Sequence, residues 1–200
     1  IEELQAAIEK FDSENQSRSL EMADALALLG NVYRASAKYS QAEEHLLHAL
    51  TIRQEKLPAD HELIAATYND LGLIYAQIDI DKSYQYYNMA LTMYEKLHGK
   101  EHPKIAIANT NLGIINQKDK QYGDAINYFN IALAIWEKIY PQPHPNKALV
   151  MMNLGQTYST MGNSNTALEF FNKALTMYQT TQGQKHPDVT YVLNLIGNEK

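Results

Sequence analysis

Two hundred residues, 45% of them apolar and 20% charged, describe a folded chain rather than a disordered one. Seventeen basic residues stand singly among 23 acidic ones for a net charge of -6, so no continuous positive surface is offered to a phosphate backbone, which speaks against nucleic acid as a partner. Cysteine is absent, which removes disulfides, thiolate catalysis and Cys-ligated zinc or iron–sulfur centres, and no apolar run approaches the roughly 18 residues that a membrane helix needs.

Along the chain one unit is written four times. Leu29-Gly30, Leu71-Gly72, Leu112-Gly113, Leu154-Gly155 and Ile196-Gly197 space their glycines by 42, 41, 42 and 42 residues. Ala49, Ala90, Ala132 and Ala174 keep the same beat, each three residues after Leu46, Tyr87, Phe129 or Phe171. The expected repeats are 18–60, 61–101, 102–143 and 144–185. Residues 1–17 read as the tail of a preceding unit's second helix or as an N-terminal cap, because Leu4, Ala7 and Ile8 stand 42 residues before Leu46, Ala49 and Leu50. Residues 186–200 read as the first helix of a fifth unit or as a C-terminal cap, and the whole is expected to be a window on a longer array.

Within each unit the spacing is helical. Around each glycine, nonpolar residues recur at offsets -4, -1, 0 and +3, as in Met151, Leu154, Gly155 and Tyr158, which is one face of a 3.6-residue period. A second helix follows, as in Ala167, Leu168, Phe171, Ala174, Leu175 and Tyr178. Small residues at fixed helical positions predict close approach of a neighbouring helix backbone. Gly162 separates the two helices of the fourth unit, and Gly99, Pro141 with Pro143, and Gly183 end second helices. Each unit is therefore expected to be a helical hairpin that hides its apolar face by stacking, giving an all-α, right-handed α-solenoid. The second unit is one residue short between its helices, so a tighter turn is predicted from Ile78 to Asp81.

The pattern of Leu154-Gly155 with Tyr158, then Ala167, Phe171 and Ala174, resembles the tetratricopeptide repeat. The longer period, with YYNMALTMYEKLHGKEHPKIAIANTNLG at 86–113, looks like the 42-residue units of kinesin light chain and related proteins. Asn116 stands where that family has tyrosine, Ser83 where it has its first alanine, and Leu46 where it has an aromatic. The resemblance implies stacked helical hairpins whose first helices line a concave, protein-binding groove.

Signs of chemistry are weak beside this scaffold. His102-Pro103, His144-Pro145 and His186-Pro187 repeat every 42 residues, with His61-Glu62 at 41 residues before the first. Proline favours the first helical position and pushes its predecessor out of helical geometry, so these histidines are expected to be caps rather than ligands. Neither HExxH, nor a Gly-rich nucleotide loop, nor a G-x-S-x-G elbow occurs. No catalytic residue, metal or cofactor is assigned. Glu43 and Glu44 are read as solvated residues at the start of a second helix. Asn15-Gln16-Ser17 is a formal glycosylation sequon. Most of the 14 tyrosines fall at core offsets such as those of Tyr33, Tyr75 and Tyr158.

One stripe does not belong to the core. Offsets -3, -2, +1, +4 and +5 from each glycine carry Asn31 and Arg34, then Asn69, Asp70 and Gln77, then Thr110, Asn111, Ile114, Gln117 and Lys118, then Met152, Asn153, Gln156, Ser159 and Thr160. Asp70, Asn111 and Asn153 recur at 41 and 42 residues, and the resemblance places this stripe in the groove. Side-chain amides pair with both backbone N–H and C=O, and Met152 and Ile114 add adaptable apolar contact. The expected function is a non-enzymatic adaptor or scaffold that binds a protein or peptide segment here, with no membrane insertion and a cytoplasmic location. The alternatives are a sensor segment of a larger enzyme or transcription regulator, and a plain structural spacer.

Overall fold

The computed structural model describes residues 2–6 and 19–199. Ala7, Ile8 and the Asn15 sequon lie outside the described residues, as does most of the expected N-terminal tail. Among the described residues the secondary structure is all helical, with no strand. A short helical stretch at 2–6 precedes α1 (Leu20–Ala35), α2 (Tyr39–Lys56), α3 (Glu62–Ile78), α4 (Ile80–His98), α5 (Pro103–Lys118), α6 (Tyr122–Ile139), α7 (Pro145–Thr160), α8 (Ser164–Gln182) and α9 (Pro187–Asn198). The chain divides into two compact units, Ile1–Gly99 and Lys100–Lys200. In the first, the hairpins α1/α2 and α3/α4 stack through α2 on α3. In the second, α5/α6 and α7/α8 stack through α6 on α7, and α9 packs on α8.

The histidines start four helices. Nδ1 of His61, His102, His144 and His186 accepts the backbone N–H two residues on, at 3.1 to 3.3 Å. Each cap thus satisfies one of the donors that a helix N-terminus leaves open. Proline at the first position follows in three of them, while His61 caps without it. Gly99 and Gly183 end α4 and α8 at φ 74° and 88°, where the missing Cβ removes the left-handed strain. The turn inside the hairpins takes a left-handed residue at Ala37, Lys120 and Gly162. In the second repeat the deleted residue is absorbed by Asp79, which is both the C-cap of α3 and the N-cap of α4, its Oδ1 accepting from Lys82 N at 3.0 Å.

The repeated glycines explain how each hairpin closes, and the contact differs from the expected backbone approach. A Cβ on Gly72, Gly113 or Gly155 would fall 2.5 to 2.6 Å from the ring of Tyr87, Phe129 or Phe171, and one on Gly30 would fall 2.8 Å from Leu46. The first helix therefore gives up its side chain to seat a large side chain of the second, and a helix backbone is met only secondarily, at Ala42 O and Ala167 O. Burying each such side chain contributes roughly 1.5–3 kcal/mol. Gly197, whose α9 has no following helix among the described residues, has nothing within 4 Å of a would-be Cβ.

Departures from the repeat pattern are locally compensated. Ser83 donates Oγ to Gly72 O at 2.8 Å, and Asn116 donates Nδ2 to Leu112 O at 2.8 Å, so both polar groups are buried but paired. Arg53 takes the place held by Tyr94, Trp136 and Tyr178, four residues after the repeat alanine. Its guanidinium is buried against Thr67 Oγ1 (2.6 Å), Leu63 O (3.3 Å) and Asp24 (2.7 Å), tying α2 to α1 and α3. Glu43 and Glu44 are not first-turn residues, because α2 begins at Tyr39. Glu43 instead accepts the Tyr75 hydroxyl; burial first, and then that carboxylate, push Tyr75 well above the ordinary tyrosine pKa.

Candidate functional site

The polar stripe flanks the face of the first helices whose glycine offset meets Leu46, Tyr87, Phe129 and Phe171, and its residues range from buried, at Thr110 and Asn153, to exposed, at Gln77, Lys118 and Thr160. In Ile1–Gly99 it forms a bonded relay. Arg34 Nε donates to Asn31 Oδ1 at 3.3 Å, and Asn31 Nδ2 donates to Asp70 Oδ2 at 2.9 Å and to Ala27 O at 3.3 Å. Asn69 also hydrogen-bonds Asp70. Burial pushes the Asp70 carboxyl above its usual value, opposed by the bond from Asn31 and by the charges of Arg34 and Arg53. Asn31, Arg34, Asn69 and Asp70 are half-buried and brought together, while Gln77 is exposed at the end of α3.

In Lys100–Lys200 the stripe is differently built. Asn111, Ile114, Gln117, Met152 and Gln156 are half-buried and Lys118 is exposed. Thr110 and Thr160 turn their hydroxyls back on Ala106 O and Gln156 O of their own helices, and Ser159 bonds Glu199. Gln156 Nε2 reaches from α7 to the Tyr191 hydroxyl on α9 at 2.9 Å. Met152 packs on the buried cluster of Ala148, Phe171, Val189 and Val192. Asn153 is only 6% exposed, and its Nδ2 has no partner among the described residues. The three rungs expected to be alike are thus unlike, since Asp70 is an engaged acceptor and Asn153 a buried open donor.

Sequence reasoning passes over offset -6, one turn before the stripe. It carries Ile107, Leu149 and Tyr191, which are 43, 38 and 48% exposed. The signal was present in the same 42-residue beat, but large apolar residues at helical spacing read as core until exposure is known. Each unit also has an open cavity on its second-helix side. One of about 430 Å³ is lined by Pro143, Met151, Thr176 and Met177, and one of about 350 Å³ by the corresponding Asp60, Tyr68, Thr92 and Met93. Among the described residues no three His, Asp or Glu side chains converge in a metal-binding geometry.

The chain belongs to the tetratricopeptide repeat family, whose profile matches residues 21–96, 77–138 and 104–180. Among solved structures it is similar to BtubC (BKLC) from P. vanneervenii, at 22% identity and a TM-score of 0.81 over 98% of this chain and 78% of that one. It is also similar to the nearly identical TPR-like repeats of kinesin-light-chain type from Podosopora anserina, at 19% identity and 0.73 over 88% and 84%. A Rap protein complexed with Competence and Sporulation Factor matches at 14% identity and 0.73, over 88% of this chain and 48% of its own. At these identities the likeness is one of fold. The search of curated proteins returns no match.

Proposed function

We propose that this chain is a non-enzymatic interaction module, an adaptor or scaffold whose first-helix faces hold a peptide segment of a partner protein. The observation that carries this reading is the repeated polar stripe of the first helices, rich in side-chain amides and for the most part half-buried or exposed. Amides present a donor and an acceptor at once, which matches a peptide backbone. The family is built from stacked repeats whose extended surfaces suit such binding. The test is affinity capture with a variant carrying Asp70→Ala, Asn111→Ala and Asn153→Ala. Capture should fall while helicity by circular dichroism is retained; undiminished capture sinks the proposal.

The Rap protein neighbour, solved with Competence and Sporulation Factor, favours a second reading. In it the same faces belong to a sensor segment of a larger enzyme or transcription regulator and hold a peptide signal or the chain's own effector domain. A covalently adjoining effector domain that is released by an added peptide would support the sensor, whereas capture of a separate protein supports the adaptor.

A further inference from the structure

We propose that the trough along α8 in the fourth repeat binds a single medium-chain fatty acid, its hydrocarbon chain parallel to the helix and its carboxylate on Lys173. The site is separate from the first-helix face. Three observations carry it: a wall whose polar groups are already bonded, the loss of a repeated ion pair at one end, and the gain of a cation toward the other.

The trough has a volume of about 430 Å³ and is lined by Pro143, by Met151 of α7 and by α8 from Asn172 to Thr180. Asn172, Thr176 and Thr180 follow one another at single turns, with Lys173 and Met177 beside them, so the lining runs along the helix for about 12 Å. The polar side chains along that length turn back on their own helix. Asn172 Nδ2 donates to Leu168 O at 2.8 Å, Thr176 Oγ1 to Asn172 O at 3.0 Å and Thr180 Oγ1 to Thr176 O at 2.8 Å. Threonine methyls and methionine side chains are left to face the cavity.

A peptide strand laid here would bury backbone N–H and C=O groups against carbon, whereas a hydrocarbon chain has none to bury. An extended hydrocarbon chain advances about 1.3 Å per carbon, given a C–C bond of about 1.5 Å. Roughly nine carbons therefore fill the length of the lining.

The other repeats show how charge has been rearranged at this position. The residue before the cap histidine pairs with the residue six beyond the repeat alanine in the second and third repeats: Asp60 with Lys96 at 3.1 Å, and Glu101 with Lys138. In the fourth repeat these positions hold Pro143 and Thr180, so that end of the trough is uncharged. The corresponding cavity of the second repeat is smaller, about 350 Å³, and keeps Asp60 and Lys96 in its wall. Conversely, the residue before the repeat alanine is Met89 or Ile131 in those repeats and Lys173 in the fourth. Lys173 is exposed, and its Nζ lies over the Phe170 ring, 5.3 Å from the centroid, at the Asn172 end of the trough. A cation in water at one end and carbon along the rest complements an alkyl carboxylate, whose head stays solvated and paired while its chain leaves water.

The test is methyl NMR on the intact protein labelled at its methionines. It is titrated with hexanoate, octanoate and decanoate, each below its micelle-forming concentration, and with 1-octanol as the uncharged counterpart. The Met151 and Met177 signals should shift and saturate while those of Met89 and Met93, in the second repeat's cavity, stay in place. Affinity should rise about two- to fourfold for each added methylene, and octanoate should bind at least about threefold more tightly than octanol. Lys173→Met should erase that preference and leave octanol binding unchanged. Pro143→Asp with Thr180→Lys, which rebuilds the ion pair of the second repeat, should weaken octanoate at least about tenfold. Should that variant lose helicity, Thr176→Asp in the exposed wall gives the same comparison. No shift with any carboxylate, equal shifts at Met89 and Met93, or equal affinity for octanoate and octanol overturns the proposal. Two other occupants overturn it as well: shifts induced only by an amphipathic leucine–lysine helical peptide identify a protein partner, and shifts that follow protein concentration without ligand identify a second copy.

Discussion

Ile1–Gly99 and Lys100–Lys200 spell the same repeat and close their hairpins through the same contact, a large side chain seated on a glycine, yet they present different first-helix faces. The first unit offers Arg34, Asn31 and Asp70 bonded in series, together with the Arg53–Asp24 pair. The second offers Ile107, Leu149 and Tyr191 among amides. Offsets that pack against a neighbour are fixed by volume, because a core tolerates little change in shape. Offsets that face outward carry no such constraint, and there the two units diverge. Specificity in such an array is therefore expected at outward offsets, where charge and apolarity can change without cost to the stack.

The largest expected effect tests the shared contact. Gly155→Ala places a methyl group 2.6 Å from the Phe171 ring and should cost about 1–3 kcal/mol in urea denaturation through overpacking. Gly72→Ala in the first unit should behave alike, against Tyr87. Gly197→Ala, which meets nothing within 4 Å, should be neutral or stabilising by up to about 1 kcal/mol, as expected for alanine in place of glycine in a helix. Equal costs at Gly155 and Gly197 would mean that the contact is not what holds the glycine.

A second experiment converts one unit's solution into the other's. Arg53 and Thr67 occupy the offsets held by Trp136 and Val150 in the second unit. Arg53→Trp alone loses the bonds to Thr67, Leu63 and Asp24 and should destabilise by about 1–3 kcal/mol. Adding Thr67→Val should recover part of this, with a coupling of about 0.5–3 kcal/mol in a double-mutant cycle. Strict additivity would show that the two positions are independent.

The caps come next. His61→Ala in the first unit and His144→Ala in the second should each cost about 1 kcal/mol, with asparagine restoring most of it. If only the His61 variant is destabilised, then Pro145 by itself starts α7 and the histidine before it is dispensable.

The smallest effect concerns the charge in the first unit. Because the folded state holds the Asp70 proton more tightly than the unfolded chain does, this group favours folding most at low pH. Its contribution is lost as pH rises through the ordinary carboxylate value toward the raised one. Asp70→Asn should therefore be more stable than the parent at neutral pH, by at most about 1 kcal/mol, and the gap should close as pH falls through the carboxylate range. A gap that widens on acidification would reverse the sign assigned to Asp70. No counterpart is expected in the second unit, where Asn111 and Asn153 do not ionise.

Much of the fold was legible because packing imposes a period. A glycine that must seat a ring, an alanine that must let helices close and a histidine that must cap each recur at one spacing, so four copies reveal what one would hide. The outward face was legible as a set of residues but not as an arrangement. Asn31, Asp70, Asn111 and Asn153 all read as amide or carboxylate rungs, yet their bonding depends on which neighbour reaches them across a helix pair. Offset -6 was missed because Ile107 and Leu149 resemble core residues in sequence. Arg53 was missed because its role needs Asp24 and Thr67, 29 residues before it and 14 after.

The sequence by itself determined the helical hairpin, its repetition, its capped starts and the offsets that meet inside each hairpin, since all of these follow from contacts short in sequence or repeated with it. Only the tertiary structure decided that a large side chain is the nearest neighbour of Gly30, Gly72, Gly113 and Gly155, that Arg34, Asn31 and Asp70 form one relay, that Asn153 Nδ2 has no partner among the described residues, and that Ile107, Leu149 and Tyr191 stand in solvent. Those facts depend on distances between successive helices, and periodicity along one helix carries no record of them.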